Sequence, residues 1–341
     1  MIFLLPIVIF INCKKSGNGD TKRPPTNLVI KASVSTDSSG TVAFTATADN
    51  ATSYFYQFGN GDSKTVSDGL ATYQYLVTGT NSYTVSVTAT SSSGLSIKST
   101  AQITVTRKYF PPVLFWSDEF NTDGAPDPLK WGYDIGNGSN GWGNSELEYY
   151  TNRPENAVVQ NGFLKIMATR ENYNGSPFTS ARLLSKDKFD FTYGKVEVRA
   201  KLPAAIGTWP AIWMLGSNFT TVPWPGCGEI DIMEARGSEP NKIFGTLHYP
   251  GRSGATGDGG TTIISNASTE FHIYSLEWTA SAIQISVDNQ LIHAVANSGS
   301  IPFNHDFFFI LNVAMGGNFA GNVDGAFKKD SLLVDYVRVY K

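Results

Sequence analysis

The sequence predicts an all-β protein: a jelly-roll sandwich of two antiparallel sheets, preceded by a smaller β-sandwich. Three observations point there. Apolar and polar residues alternate over short runs, the period of a half-buried strand. Turn formers separate those runs, with 33 Gly and 16 Pro in 341 residues. Aromatic residues reach 13% while charged residues stand at 16%, against about 25% in an ordinary soluble domain. No stretch holds a 3.6-residue apolar period over the length of a helix, which excludes bundles and coiled coils. The length fits two domains. Lys and Arg total 26 against 29 Asp and Glu, a net charge of −3, so no basic surplus exists to neutralise nucleic-acid phosphates. The two cysteines, Cys13 and Cys227, cannot build a disulfide framework.

Residues 1–24 read as an export segment and tether. The apolar run I-F-L-L-P-I-V-I-F-I at 2–11 is too short for a membrane-spanning helix, which takes about 20 residues. It matches the apolar centre of a secretory signal. Cys13 follows at once, then Lys14, Lys15 and a polar stretch. That order resembles a bacterial lipoprotein signal, although smaller residues than Phe10, Ile11 and Asn12 are usual before the cysteine. The resemblance implies an exported protein held at the outer membrane or cell surface through a lipid on Cys13. A plain secretory peptide is the alternative.

Residues 25–106 form the smaller β module. Alternating runs lie at 28–34, 41–46, 83–89 and 101–106, with turns at 38–40 and 93–94, a pattern for a small sandwich. The segments Y-Q-F-G-N-G-D at 56–62 and Y-Q-Y at 73–75, with Gly79 and Tyr83, resemble a polycystic-kidney-disease (PKD) repeat. The resemblance implies an immunoglobulin-like fold serving as a spacer or a weak carbohydrate binder. No catalytic group clusters here, which favours the spacer. Residues 107–112 are a linker stiffened by Pro111 and Pro112.

Residues 113–341 carry the chemistry. Short strand-like runs recur, at 164–168, 195–200, 283–288 and 333–340 among others, and about a dozen such strands imply two stacked sheets. One run is acidic: G-E-I-D-I-M-E at 228–234. In a strand Glu229 and Asp231 share a face, and Ile230 and Ile232 take the other. Glu234 then points the wrong way unless one extra residue, a β-bulge near Ile232 and Met233, returns it to the acidic face. Three like charges in one groove repel each other, so at least one pKa must rise. That is a poor arrangement for stability and a good one for glycoside hydrolysis, which needs one ionised carboxylate and one carboxylic acid. A carboxyl separation of about 5–5.5 Å gives retention. The outer two acids would have Cα atoms about 13 Å apart at about 3.3 Å per position. Their long side chains must therefore lean together over a concave face. A solvated face or a calcium site is the alternative; the former normally carries Lys or Arg, and only Arg236 is near.

The acidic run resembles the signature of glycoside hydrolase family 16 in its bulged, laminarinase-like form. The likeness extends over nearly all of 113–341. It includes S-D-E-F-N at 117–121, G-W-G-N-S-E-L-E-Y-Y-T at 141–151, T-S-A-R at 179–182 and G-T-W-P-A-I-W-M-L-G at 207–216. It continues in G-T-L-H at 245–248, F-H-I-Y at 271–274, E-W-T at 277–279 and F-I-L-N-V-A-M-G-G-N at 309–318. One departure is Phe319, where Trp is frequent. The resemblance implies a retaining endo-glycanase with Glu229 as nucleophile, Glu234 as general acid/base, and Asp231 holding a proton or hydrogen bond between them. No cofactor is needed for the chemistry. The E-L-E-Y-Y-T run and the bulge favour β-1,3-glucan over the unbulged mixed-linkage enzymes; a marine galactan such as agar or carrageenan is the other alternative, and a sulfated one would call for more basic cleft residues than the sequence offers. A lectin on the same sandwich is the non-catalytic alternative, against which stands the presence of all three acids. An adhesion protein, suggested by the PKD-like spacer, is a third reading. The expected partner is a β-glucan polysaccharide, and the chain is expected to act as a monomer.

Trp209, Trp213 and Trp224 are candidate sugar platforms, because indole faces pack on sugar C–H faces; core packing is the other reading, strongest for Trp213. Arg182, Asn144 and Asn312 would contact sugar hydroxyls or make buried hydrogen bonds. His248, on the following strand, would flank the acid/base or simply be a satisfied histidine. His272 reads as structural, and His293 and His305 give no signal. The resemblance also implies a structural calcium on Asp335, completed by carbonyls at Glu119 and Gly162.

Overall fold

The structure is a computed structural model that describes residues 23–108 and 111–341. The signal-like run and Cys13 lie outside the described residues. The chain divides into two units between Pro111 and Pro112.

In the first unit, strands Thr26–Val34, Thr41–Asp49 and Leu70–Gln74 form one sheet. Strands Ser63–Val66, Ser53–Gln57, Gly79–Thr90 and Ser96–Arg107 form the other, in that order. Alternation decides which residues face inward: Val42, Phe44 and Ala46 from the first sheet meet Tyr56, Val85 and Val87 from the second. The core tyrosines need partners for their hydroxyls. Tyr56 donates to the Gly69 carbonyl at 2.6 Å and Tyr75 to that of Phe58 at 2.9 Å.

The second unit is a sandwich of a seven-stranded and a ten-stranded sheet. The seven-stranded sheet runs Asp258–Ile263, Lys242–His248, Glu229–Glu234, Thr208–Gly216, Phe307–Met315, Arg182–Leu184, Gly132–Asp134. In the larger sheet, Lys329–Tyr340 sits between Phe163–Tyr173 and Gly194–Lys201. Between the sheets pack Ile212, Met214, Ile230 and Phe309 from one side and Val198, Leu276, Trp278 and Val337 from the other. One pairing breaks the expected antiparallel rule. Glu148–Tyr150 runs parallel to Ser176–Ser180. Its direction is set just upstream, where the Leu147 N–H donates to the Met315 carbonyl at 2.9 Å and ties the segment to the end of a strand in the other sheet.

Strand Phe307–Met315 is buried at every position. On the face away from the main core, Phe308 and Ile310 pack with Leu184, and Trp213 and Leu215 lie against them. That face therefore has an apolar floor beside its acids.

Candidate active site

The acidic strand starts from a turn at Gly228, which has φ +77°, and a Cβ there would lie 2.9 Å from the Phe307 ring. Glycine alone fits that approach. The register beyond it locates the bulge. Against Thr208–Gly216, Leu215 faces Glu229, Trp213 faces Asp231 and Ala211 faces Glu234. Two residues advance on one strand while three advance on the other, so Ile232 is the extra residue. The neighbour on the opposite side shows the same slip between Asp231 and Glu234. Because Leu215, Trp213 and Ala211 alternate, all three acids share one face. Ile230, Ile232 and Met233 are wholly buried in the core.

Three rows of side chains cross that face. One runs Asp134, Arg182, Asn312, Ala211, Glu234, Phe244, and the next runs Leu184, Ile310, Trp213, Asp231, Thr246. The third runs Phe308, Leu215, Glu229, His248. Trp209 lies on the same face of its strand as Ala211, and its indole Nε1 donates to Glu234 Oε1 at 2.9 Å. His248 acts on Glu234 as well as Glu229 but stands beside the latter. It faces Glu229 rather than Glu234, with Nε2 3.7 Å from Glu229 Oε1 and 3.2 Å from Asp231 Oδ2. The pairing of Glu229 with His248 lies ahead of the bulge, which then shifts Glu234 by one position and sets it opposite Phe244.

Burial pushes all three carboxyls up to about 8. For Glu229 and Glu234 burial outweighs the charge on Asp231, the next cause, so desolvation, more than the acidic neighbours invoked above, keeps a proton in the trio. The partners differ. His248 and Arg182 both act against the rise at Glu229. At Glu234 the Trp209 N–H and His248 do so, while Glu146 adds to the rise. The first negative charge of the trio is therefore best accommodated on Glu229.

The other expected residues divide. Trp224 is 47% exposed, 6.0 Å from the His248 ring. Trp213 is half-buried on the acid face and donates to Asn312 Oδ1 at 2.8 Å. Asn312 is 5% exposed with both amide ends engaged, and Asn144 donates to Glu146 Oε1 at 3.1 Å. Arg182 lies 3.0 Å from Asp134 Oδ2 and stacks between the rings of Trp142, at 4.4 Å, and Trp213, at 4.9 Å. For Arg182, Asn144 and Asn312 the structure thus realises internal pairing. Phe319 tilts against Trp209 at 4.9 Å and meets Phe244 edge-on at 5.0 Å. His272 pairs with Asp288 at 2.6 Å.

Trp142, Glu146 and Tyr150 border the site behind Arg182 and Asn312, with Glu148 buried beyond them, and none had an individual role in the sequence reading. The alternation Glu146, Glu148, Tyr150 was a visible signal, since it marks one face of a strand. Gly138 makes room for Trp142: a Cβ there would sit 2.6 Å from the indole.

Two places bear on metal binding. Glu229, Asp231 and His248 offer one ligand atom each within 4.8 Å of one another, the one such group among the described residues. Near Asp335, pairing of Val334 with Leu164 and of Val337 with Asp118 brings the strand beside the segments holding Gly162 and Glu119. The Asp335 carboxylate, the one side-chain ligand of that set, is paired with Arg199, however.

The sequence pattern described as "Glycosyl hydrolases family 16" matches residues 144–338. A beta-glucanase from Rhodothermus marinus is 45% identical over 244 residues, covering 67% of this chain and 85% of that protein. A glucan endo-1,3-beta-glucosidase from Cryptopygus antarcticus is 38% identical over 251 residues, covering 66% and 91%. The solved laminarinase of Rhodothermus marinus superposes with a TM-score of 0.65 at 45% identity, covering 67% of this chain and 97% of that one. The acid row thus stands within a matched sequence and a matched fold, and the chain belongs to glycosyl hydrolases family 16.

Proposed function

We propose that the protein is an endo-β-1,3-glucanase that cleaves laminarin-type glucan with retention, by double displacement. One observation carries this reading: the extra residue at Ile232 sets Glu229 and Glu234 on one face with Asp231 between them. Glu229 attacks the anomeric carbon as a carboxylate, helped by His248 and Arg182. Glu234, held protonated at neutral pH by its burial and oriented by the Trp209 N–H, protonates the departing glycosidic oxygen. It then takes a proton from the water that opens the glycosyl ester on Glu229. Asp231 shares the proton of the trio and keeps the outer acids from ionising together. Trp224, exposed at the nucleophile end, supplies a sugar platform.

The substrate class rests on the names of the relatives: a beta-glucanase, an endo-1,3-beta-glucosidase and a laminarinase. Product analysis on laminarin, lichenan, agarose and carrageenan tests it. Laminarin should yield short β-1,3-linked oligosaccharides fastest. Faster release from either galactan would overturn the reading.

The first unit, PKD-like in sequence, acts as a spacer, and a lipid on Cys13 anchors the exported monomer to a membrane surface. Replacing Cys13 with Ala should move the protein from the membrane fraction to the soluble one. A structural calcium at Asp335 stays outside the reading, because Arg199 already neutralises that carboxylate.

A further inference from the structure

A second pair of carboxylates, Glu146 and Glu148, takes none of the roles above. Glu148 is wholly buried. Its Oε2 accepts the Met315 N–H at 2.6 Å. Its Oε1 is buried with no hydrogen-bond partner assigned to it among the described residues, and the side chain lies within hydrogen-bonding reach of the Glu146 carboxyl. Two ionised acids there would repel in a dry setting, with nothing to repay their desolvation.

The surrounding donors show which acid holds the proton. An indole nitrogen can only donate. Trp213 Nε1 donates to Asn312 Oδ1 at 2.8 Å, so the amide nitrogen of Asn312 points the other way, to the Tyr150 hydroxyl at 3.1 Å. The Tyr150 oxygen accepts there and sends its own proton to Glu146 Oε2 at 3.2 Å. Asn144 Nδ2 donates to Glu146 Oε1 at 3.1 Å. Both oxygens of Glu146 therefore accept, and Glu146 is the carboxylate. At Glu148 a main-chain N–H occupies Oε2, which leaves Oε1 to carry the proton.

We propose that Glu148 is a protonated positioning residue whose Oε1–H donates to Glu146 and so sets the direction of the hydrogen-bond chain Glu146, Tyr150, Asn312, Trp213. The far end of that chain is a wall of the acid face, since Trp213 stands opposite Asp231. Arg182, stacked on Trp213, is held in the same arrangement. Burial and the neighbouring Glu146 hold the Glu148 carboxyl well above the usual carboxylate range. The other ionisable groups facing this network are the Tyr150 hydroxyl, also raised by burial, Arg182, and Glu234, which feels the Glu146 charge. A proton lost from Glu148 would put a second charge beside Glu146 and leave that carboxylate one donor short.

The test sets two isosteric changes against each other. Glu148→Gln keeps the pattern: its amide nitrogen donates to Glu146 and its carbonyl accepts from Met315. Glu146→Gln breaks it, because an amide NH2 then meets an arriving donor. With laminarin oligosaccharides, Glu148→Gln should stay within about twofold of the parent in kcat/KM, and Glu146→Gln should fall about tenfold or more, mainly through KM. The turnover arm rests on the β-1,3-glucan reading. An infrared arm does not: at neutral pH the difference spectrum between parent and Glu148→Gln should show loss of a protonated carboxyl carbonyl band. Loss of carboxylate bands instead would overturn the proposal. So would Glu148→Gln losing as much activity as Glu146→Gln while its melting temperature holds. If Glu146→Gln fails to fold, the infrared result decides alone.

Discussion

The second unit gathers acids in two places, and it resolves the same conflict differently in each. Glu229, Asp231 and Glu234 stand on one face, where His248 and Arg182 act against the rise at Glu229. Glu146 and Glu148 are surrounded by neutral donors: a main-chain N–H, a tyrosine hydroxyl and an amide. Both clusters oppose burial to ionisation. The first leaves its outer acids, Glu229 and Glu234, partly exposed, with Asp231 buried between them. The second fixes its proton, because each remaining oxygen already has a donor. Proximity of like charges therefore does not define a catalytic site; the kind of partner does.

That contrast can be broken at several strengths. The largest expected effect is at the open cluster. Glu234→Gln should lower kcat on laminarin by about 10²–10⁴-fold, the range for losing a general acid/base, and Glu229→Gln should fall at least as far. Binding of laminarin oligosaccharides, read by calorimetry, should survive in both. Loss of binding together with turnover would mean the face had collapsed. At the closed cluster, Tyr150→Phe removes one link and leaves Glu146 short of a donor. It should cost about tenfold in kcat/KM without moving the pH optimum. A displaced optimum would show that the two clusters titrate together.

A smaller effect concerns stability. Burial pushes Asp231 from an ordinary value of 3.8 up to about 8. The folded protein therefore holds this proton more tightly than the unfolded chain. Stability falls as pH rises from about 4 to about 8, and the cost is complete above that window. Asp231→Asn should raise the melting temperature by about 2–4 °C near pH 8 for each kcal/mol relieved, and by much less near pH 5. An equal gain at both values would remove the titration argument. The smallest effect is expected at Asp335, where calcium should shift the melting temperature by less than about 1 °C, since Arg199 already serves the carboxylate. A shift of several degrees would show that Arg199 yields to the ion.

Much of this was legible in the sequence because the signals were local. Period-2 alternation around Val42–Phe44–Ala46 and Glu229–Asp231 fixes inward and outward faces without any knowledge of neighbours. The bulge was legible too, since three acids at that spacing share a face only if one residue is extra. What stayed hidden depends on register between distant segments. Whether His248 lies by Glu229 or Glu234 is settled by how Lys242–His248 slides along the bulged strand. The stacking of Arg182 between Trp142 and Trp213 joins three separate segments. Glu148 reads as an ordinary strand acid until Met315, from a strand far along the chain, is seen to occupy one of its oxygens.

The central claim is that one inserted residue turns Glu229 and Glu234 toward opposite faces of the same sugar. Azide rescue of two truncations tests it most directly. With the nucleophile removed in Glu229→Ala, azide should attack the anomeric carbon from the vacated side and release an α-glycosyl azide. With Glu234→Ala, azide should intercept the glycosyl ester on Glu229 and release the β-anomer. Opposite anomers in that assignment are the predicted result; the same anomer from both variants, or the reverse assignment, would contradict it.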